Sequence, residues 1–347
     1  MTQSLLTVDN LHIEFQTGAG VLKALNGVSF HVQPGEIFGI VGETGCGKTI
    51  TGLSILGLLP EIASIPAGSI TLDGVDLLGL SEREMRKVRG RRIAMIFQDP
   101  STSLNPVFTV GYQLERVIRT HLGVDKKEAK RRAAEMLESV GLPDVYRILD
   151  SYPHQLSGGM KQRAMIALAL SCQPALLIAD EPTTALDVTI QAQILQLLRD
   201  LRREFGVAVV LITHDLGVVA HTCDRMAVLY AGRVAETGPT ATIFTAPHHP
   251  YTQGLLAALP KPGSRGSPLE AIPGSVPANP GAVIGCAFAP RCAYAIERCR
   301  REEPPLIAVG EEHRSACWVD PTDRRATELS GESASEPARE STAEEAS

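Results

Sequence analysis

Glu36-Ile37-Phe38-Gly39-Ile40-Val41-Gly42-Glu43-Thr44-Gly45-Cys46-Gly47-Lys48-Thr49 is the stretch on which the reading of the fold turns. Glu36 to Val41 reads as a buried, β-prone strand. Gly42 to Thr49 fits G-x-x-x-x-G-K-[ST], a phosphate-binding loop, and Ile50 to Leu56 can continue as a helix. Strand, loop and helix in that order supply the mechanism. Glycines let backbone N–H groups turn inward onto phosphate oxygens, and the helix N-terminus adds positive potential. Gly42, Glu43, Thr44, Gly45, Cys46, Gly47, Lys48, Thr49 and Ile50 are the expected cradle of a nucleoside triphosphate. Lys48 should reach the β/γ-phosphates and the Thr49 hydroxyl should ligate Mg²⁺.

The chain has 347 residues, suited to one large α/β domain plus an appendage. Hydrophobic residues make up 44% and charged residues 21%, ordinary for a soluble globular protein. The formal net charge of −6 argues against a polyanion-binding surface, so a nucleic-acid partner is not expected. Met1 to Leu6 lacks a basic segment followed by an apolar one, so no signal peptide is read there. No apolar run approaches the ~20 residues that span a bilayer, so any membrane role must come through partner subunits. In a reducing compartment the seven cysteines are thiols or metal ligands rather than disulfides.

Along the chain, Leu5 to Phe30 alternates apolar and polar residues around a turn at Gly18 to Gly20, as strands of an antiparallel edge sheet do. A strand pair follows around Gly68 to Gly74, and Arg92 to Phe97 reads as another buried strand. Val110 to Val140 is predicted helical. Its Lys126, Lys127, Glu128, Lys130, Arg131 and Arg132 read as a solvated face. Ala175 to Ala179 and Val207 to Thr213 are short apolar runs ending in Asp180-Glu181 and His214-Asp215. Strands alternating with helices predict a mainly parallel sheet with active groups at the strand C-termini. Asp180, ending a buried strand, can hold Mg²⁺, and Glu181 can orient attacking water or accept its proton.

Leu156-Ser157-Gly158-Gly159-Met160-Lys161-Gln162 is a second Gly-rich turn opening a helix, hence a second anion site. It resembles the signature motif of ABC ATPases, with Met160 in place of the usual glutamine. The other motifs of that family follow in order. Gln98 resembles the Q-loop glutamine that senses Mg²⁺ and attacking water. Asp180 resembles the Walker B acid, and Ala185-Leu186-Asp187 the D-loop that crosses the dimer interface. His214 resembles the switch histidine that contacts the γ-phosphate. Phe15 stands where an aromatic would stack on adenine, although an aromatic on a strand is more often core. The resemblance covers about Leu5 to Pro260. It implies an α/β P-loop NTPase core with an antiparallel β edge subdomain and a helical subdomain. It also implies two ATPs sandwiched head to tail, each between one subunit's phosphate loop and the other's Ser157-Gly158-Gly159.

Within that family, Phe97 to Pro106 and His249-Pro250-Tyr251-Thr252-Gln253-Gly254-Leu255-Leu256 resemble the ATPases of oligopeptide/dipeptide importers. Cys286, Cys292, Cys299 and Cys317, separated by five, six and seventeen residues, resemble their C-terminal region. A Cys₄ site would fold such a poorly hydrophobic segment by metal binding. The candidates are a [4Fe–4S] cluster and tetrahedral Zn²⁺, and the absence of a paired C-x₂₋₄-C spacing favours the cluster. Unmetallated thiols stay open. Cys46, Cys172 and Cys223 read as packing residues.

The resemblance implies an ATP-hydrolysing subunit, peripheral on the cytoplasmic face of the inner membrane. Its partners would be two permease subunits, an extracytoplasmic solute-binding protein and a second ABC ATPase subunit, related or identical. The rival is a soluble ABC ATPase acting on nucleic acid or ribosomes. The imported solute stays open between peptides, nickel chelates and glutathione-like ligands. The expected organisation is an ATPase domain over 1–259, with a helical subdomain over about 101–172. A Pro/Gly-rich connector over 260–282, a Cys-rich segment over 283–319 and a disordered acidic tail over 320–347 follow.

Overall fold

A computed structural model describes residues 3–18, 20–184, 187–259, 272–277 and 279–320. Most of the predicted connector and nearly all of the acidic tail lie outside these residues, as do Ala185 and Leu186.

Two sheets form the framework. β1 (Leu6–Thr17), β2 (Gly20–Val32), β4 (Ala63–Leu72) and β5 (Val75–Asp76) make an antiparallel sheet in the order β2-β1-β4-β5. The larger sheet takes β3 (Ile37–Val41), β6 (Ile93–Ile96), β7 (Leu176–Asp180), β8 (Ala208–Thr213), β9 (Arg225–Tyr230) and β10 (Arg233–Pro239). β11 (Ile307–Gly310) and β12 (His313–Ser315) join it, in the order β11-β12-β10-β9-β3-β8-β7-β6. β9, β3, β8, β7 and β6 run parallel, and all of β3, β7 and β8 is buried, as expected for strands covered on both faces.

The pleat of these strands divides the interior. Ile37, Val41, Ala179, Val209 and Leu211 face one core, which the helices between β6 and β7 complete. Phe38, Ile40, Ile178, Val210 and Ile212 face the other, which the antiparallel sheet closes. A strand with apolar side chains on both faces is therefore pinned from two sides.

The predicted helix over Val110 to Val140 is two helices, Val110–Leu122 and Lys126–Ser139. Gly123 ends the first at φ 68°, and the Asp125 carboxylate caps the second by accepting from Glu128 N–H. Both residues that mark the break, Gly123 and Asp125, stand in the sequence. The charged face is solvated, as read: Glu128 pairs with Arg131 and Arg132.

A feature beyond the sequence reading is that the C-terminal segment extends the main sheet. β12 pairs with β10 through Glu236↔Ser315 and Thr237↔Arg314. Beneath this seam the Glu236 carboxylate, fully buried, accepts three hydrogen bonds. They come from His248 N–H at 2.6 Å, His249 N–H at 3.1 Å and His313 Nε2 at 2.7 Å. A buried carboxylate needs such donors, and here two consecutive backbone N–H groups and one histidine of the C-terminal segment supply them. Cys46, Cys172 and Cys223 are all buried, in keeping with packing roles.

Candidate active site

Sheet register assembles the site. Val41 is level with Thr213, Asp180 with Ile212, and Ala179 with Ile96. The residues just beyond these ends therefore emerge together at the carboxyl edge of the parallel strands, where open α/β sheets bind ligands. They are Gly42 to Thr49 after β3, Gln98 after β6, Glu181 after β7 and His214 after β8.

The phosphate loop is closely supported. Gly42 has φ 150°, and a Cβ there would run into the Leu229 carbonyl oxygen; Gly47 has φ 104° and lies against Leu25. At Gly42 a side chain would require the backbone to move, and at Gly47 it would be strained by the positive φ and would displace the Leu25 side chain. The Lys48 ammonium, buried, donates to Gly42 O at 2.8 Å and Glu43 O at 3.0 Å, which holds it across the mouth of the loop. Thr44, Gly45 and Thr49 are exposed, Cys46 is buried, and Ile50 packs partly against the core closed by the antiparallel sheet. Glu43 departs from the simple cradle. Its N–H donates to the Tyr251 hydroxyl at 3.0 Å, and its carboxylate is taken by Arg291.

Asp180 and Glu181 are neighbours with opposite electrostatics. Burial pushes the Asp180 carboxyl above its ordinary range, and the hydrogen bond from Thr49 Oγ1 to Oδ1 at 3.2 Å offsets this only in part. Burial acts on Glu181 in the same direction. Hydrogen bonds from His214 Nδ1 at 2.9 Å and Thr184 Oγ1 at 2.9 Å outweigh it and hold this carboxyl below its ordinary range. Gln98 Nε2 donates to the same carboxylate at 3.0 Å. Glu181 itself has φ 45°, a strained stance for a non-glycine residue and one that such hubs support. The structure thus brings Gln98, Glu181 and His214 into direct contact, and Thr49 with Asp180. A hydroxyl beside a buried, incompletely compensated carboxylate is the donor set that a Mg²⁺ ion with most of its waters requires.

Ser157 caps the helix Gly158–Leu170 by accepting from Met160 N–H at 3.3 Å, and Ser157 and Gly158 are exposed. Asp187 caps the helix Val188–Phe205 and accepts from Ile190 N–H at 2.9 Å. Phe15 is half-buried on β1 opposite Leu22 and Ala63. Three contributors went unnoticed in the sequence. Thr184 holds Glu181, Gln162 reaches from the second Gly-rich turn to Pro182 O at 2.5 Å, and Tyr251 holds Glu43. Thr184 and Gln162 carry a weak signal in their closeness to recognised motifs; Tyr251 lies inside the importer-like stretch His249 to Leu256, but nothing in that stretch marks Glu43 as its partner.

Cys286, Cys292, Cys299 and Cys317 line a single small cavity with Tyr294 and Trp318. Burial pushes the Cys292 thiol up to about 11 and the Cys317 thiol up to about 12, and the neighbouring thiols push in the same direction. Among the described residues no group of three or more His, Cys, Asp or Glu is arranged to hold a metal ion, so the expected metal cage is not formed as such.

Fold and site together define an ATP-hydrolysing cassette of the ABC type. Residues 25–184 match the model of the ABC transporter family, and residues 235–299 match that of the oligopeptide/dipeptide transporter C-terminal region. The chain is 54% identical to a Sinorhizobium fredii protein named "Probable peptide ABC transporter ATP-binding protein", over 90% of this chain and 94% of that one. It is 49% identical to the Escherichia coli dipeptide transport ATP-binding protein DppD, over 90% and 96%. A dimeric post-hydrolysis structure of the ATP-binding cassette MJ0796 with ADP and Pi superimposes with a TM-score of 0.61. It is 30% identical and covers 68% of this chain and 98% of that one. The chain belongs to the ATP-binding proteins of the oligopeptide/dipeptide ABC transporter family.

Proposed function

We propose that this ATPase powers import of di- and oligopeptides through a pair of membrane permease subunits, fed by an extracytoplasmic solute-binding protein. The observation that carries the reading is the joining, on one chain, of an ABC cassette to the oligopeptide/dipeptide C-terminal region. Among the described residues no helix is long and apolar enough to cross a membrane, so the path for the solute must come from partners. In this reading residues 1–259 form the ATPase unit, with a helical subdomain over about 101–172, and 283–319 form the importer-type segment.

Two such ATPase chains, related or identical, would enclose ATP head to tail. Ser157 and Gly158 are free to meet a partner's phosphates, and Val188, beside Asp187, leaves an apolar side chain 82% exposed where a partner would cover it. Lys48 binds the β/γ-phosphates, Thr49 and Asp180 would hold hydrated Mg²⁺ with help from Gln98, and Phe15 offers a ring face to adenine. When bound, the ion would supply positive charge against the phosphates. Glu181, kept ionised by its hydrogen bonds, orients water in line with the γ-phosphorus and takes its proton. His214 and Gln98 tie that carboxylate to the loops that follow β8 and β6.

The four cysteines are proposed to hold a [4Fe–4S] cluster. A mononuclear Zn²⁺ draws four sulfurs to ~2.3 Å from one point, whereas a cluster spreads its four cysteinates over four irons. The four thiols line one cavity, which supports a shared Cys₄ group, and their lack of a paired C-x₂₋₄-C spacing favours the cluster. When bound, the cluster supplies folding free energy to a segment with little core of its own.

Anaerobic purification from membranes tests these readings together. Permease subunits should accompany the chain, iron and acid-labile sulfide should be present, and peptide-loaded binding protein should stimulate ATP hydrolysis. Recovery with ribosomes or DNA would favour the rival reading. Stimulation by nickel chelates or glutathione alone would reassign the solute.

A further inference from the structure

The cysteine-bearing segment touches the phosphate loop directly. Arg291, the residue before Cys292, places its guanidinium on the Glu43 carboxylate in bidentate fashion, Nη1 to Oε2 at 2.7 Å and Nη2 to Oε1 at 3.0 Å. Glu43 is the first variable residue of the loop, 248 positions away in sequence. The pair is not a loose surface contact: the Arg291 side chain is 5% exposed, the Glu43 side chain 32%. Arg291 is also fixed from behind. Nε donates to Pro273 O at 2.8 Å, Nη2 to Ile272 O at 3.3 Å and Nη1 to the Tyr230 hydroxyl at 3.4 Å. Its guanidinium carbon lies 5.8 Å from the Tyr230 ring centroid and 5.9 Å from that of Phe288.

Every polar group of Glu43 is thereby engaged. The N–H donates to Tyr251, the carbonyl accepts from Lys48 at 3.0 Å, and the carboxylate holds Arg291. Tyr251 is fully buried against Tyr230 and Phe288. Its helix is capped by His249, which burial pushes down to about 4 and so keeps neutral, its Nδ1 accepting from Tyr251 N–H at 3.0 Å. Glu43 sits one peptide from Gly42 and shares Lys48 with it, so the stance of Glu43 sets where Lys48 points.

We propose that Arg291 is a positioning residue of the ATP site. Through Glu43 it holds the phosphate loop and Lys48 in the ATP-accepting geometry, so that the cysteine segment controls ATP affinity. The proposal rests on Gly42 to Thr49 being the ATP site. A planar fork suits this task, because two parallel hydrogen bonds fix the orientation of the carboxylate as well as its distance. The turn Ala289–Arg291 leads straight into Cys292, so a shift at the thiols reaches the loop through one side chain.

The test is a double-mutant cycle of MgATP Kd on the full chain, carrying Glu181→Gln to stop turnover. Glu43→Ala and Arg291→Ala should each weaken ATP binding about tenfold, ~1.4 kcal/mol, and the double variant should be no weaker than either single one. Arg291→Lys, which keeps the charge and loses the fork, should fall between wild type and Arg291→Ala. It also carries the test if the alanine variant does not fold. A Kd for Glu43→Ala within twofold of wild type, or effects that multiply in the double variant, would overturn the proposal. Lys48→Ala is the control. If it leaves ATP affinity unchanged, the phosphate-loop reading itself fails; if it weakens binding while Glu43→Ala and Arg291→Lys do not, only the Arg291 proposal fails.

Discussion

The ATP site and the four-cysteine segment meet at one ion pair, yet they are organised in opposite ways. The ATP site is overdetermined: four neighbouring parallel strands deliver its groups to one edge, and Glu181 alone accepts from Gln98, Thr184 and His214. The cysteine segment is sparse. It owns two short strands, few buried side chains and a cavity lined by thiols, and it leans on the cassette through Glu236 and Arg291. The lesson is that a site can be rigid because its scaffold is, or because an added ligand and a few buried polar contacts make it so. The first kind should lose chemistry on mutation and keep its fold; the second should lose its fold first.

The sharpest break of that contrast comes from Glu181→Gln. Phosphate release by the assembled complex should drop roughly 10²- to 10⁴-fold, the usual worth of a positioned base, while ATP binding and melting temperature hold. Turnover at the wild-type rate would remove Glu181 from its assigned role. Next, Lys48→Ala should raise the MgATP Kd about 10- to 100-fold, as expected for a lost charge-assisted contact to phosphate. Equilibrium binding measures this directly.

Cys299→Ala probes the other region. Because Cys299 is buried in the thiol cavity, iron content should fall to near zero and the melting transition should drop by several degrees, with the cassette still binding ATP. Unchanged melting would mean that the segment folds without a metal.

The smallest effect concerns Asp180. Its folded value lies above its unfolded one, so its contribution to stability is fully present below the unfolded value and is lost as pH rises through the folded one. Asp180→Asn should therefore raise the melting temperature without nucleotide at neutral pH by ~2 °C, while abolishing the stabilisation that MgATP adds. A thermal-shift titration with and without MgATP reads both arms. A lowered melting point would show that Asp180 already has its charge balanced.

The motifs were legible because nucleotide chemistry constrains short, contiguous stretches. Gly42 and Gly47 occupy backbone conformations or spaces closed to side chains, so glycine had to appear there. Gln98, Glu181 and His214 stand just past apolar runs because those runs are strands ending at one edge. The break at Gly123 and Asp125 was also written in the chain, as a glycine that can take a positive φ followed by a helix-capping carboxylate. The addition of β12 to β10 was not legible. Short strands of mixed polarity carry no mark of their partner, and Glu236 acquires its three donors only when His248, His249 and His313 converge.

Taken by itself, the sequence determined the P-loop core, the order of its nucleotide motifs and the presence of four clustered cysteines. Each of these depends on residue type at fixed local spacing. Tertiary structure alone decided that Glu43 belongs to Arg291 and Tyr251, that Thr184 steadies Glu181, and that the cysteine segment grips the phosphate loop. These pairings join residues whose distance in space is set by the packing of many strands, and no local pattern encodes that distance.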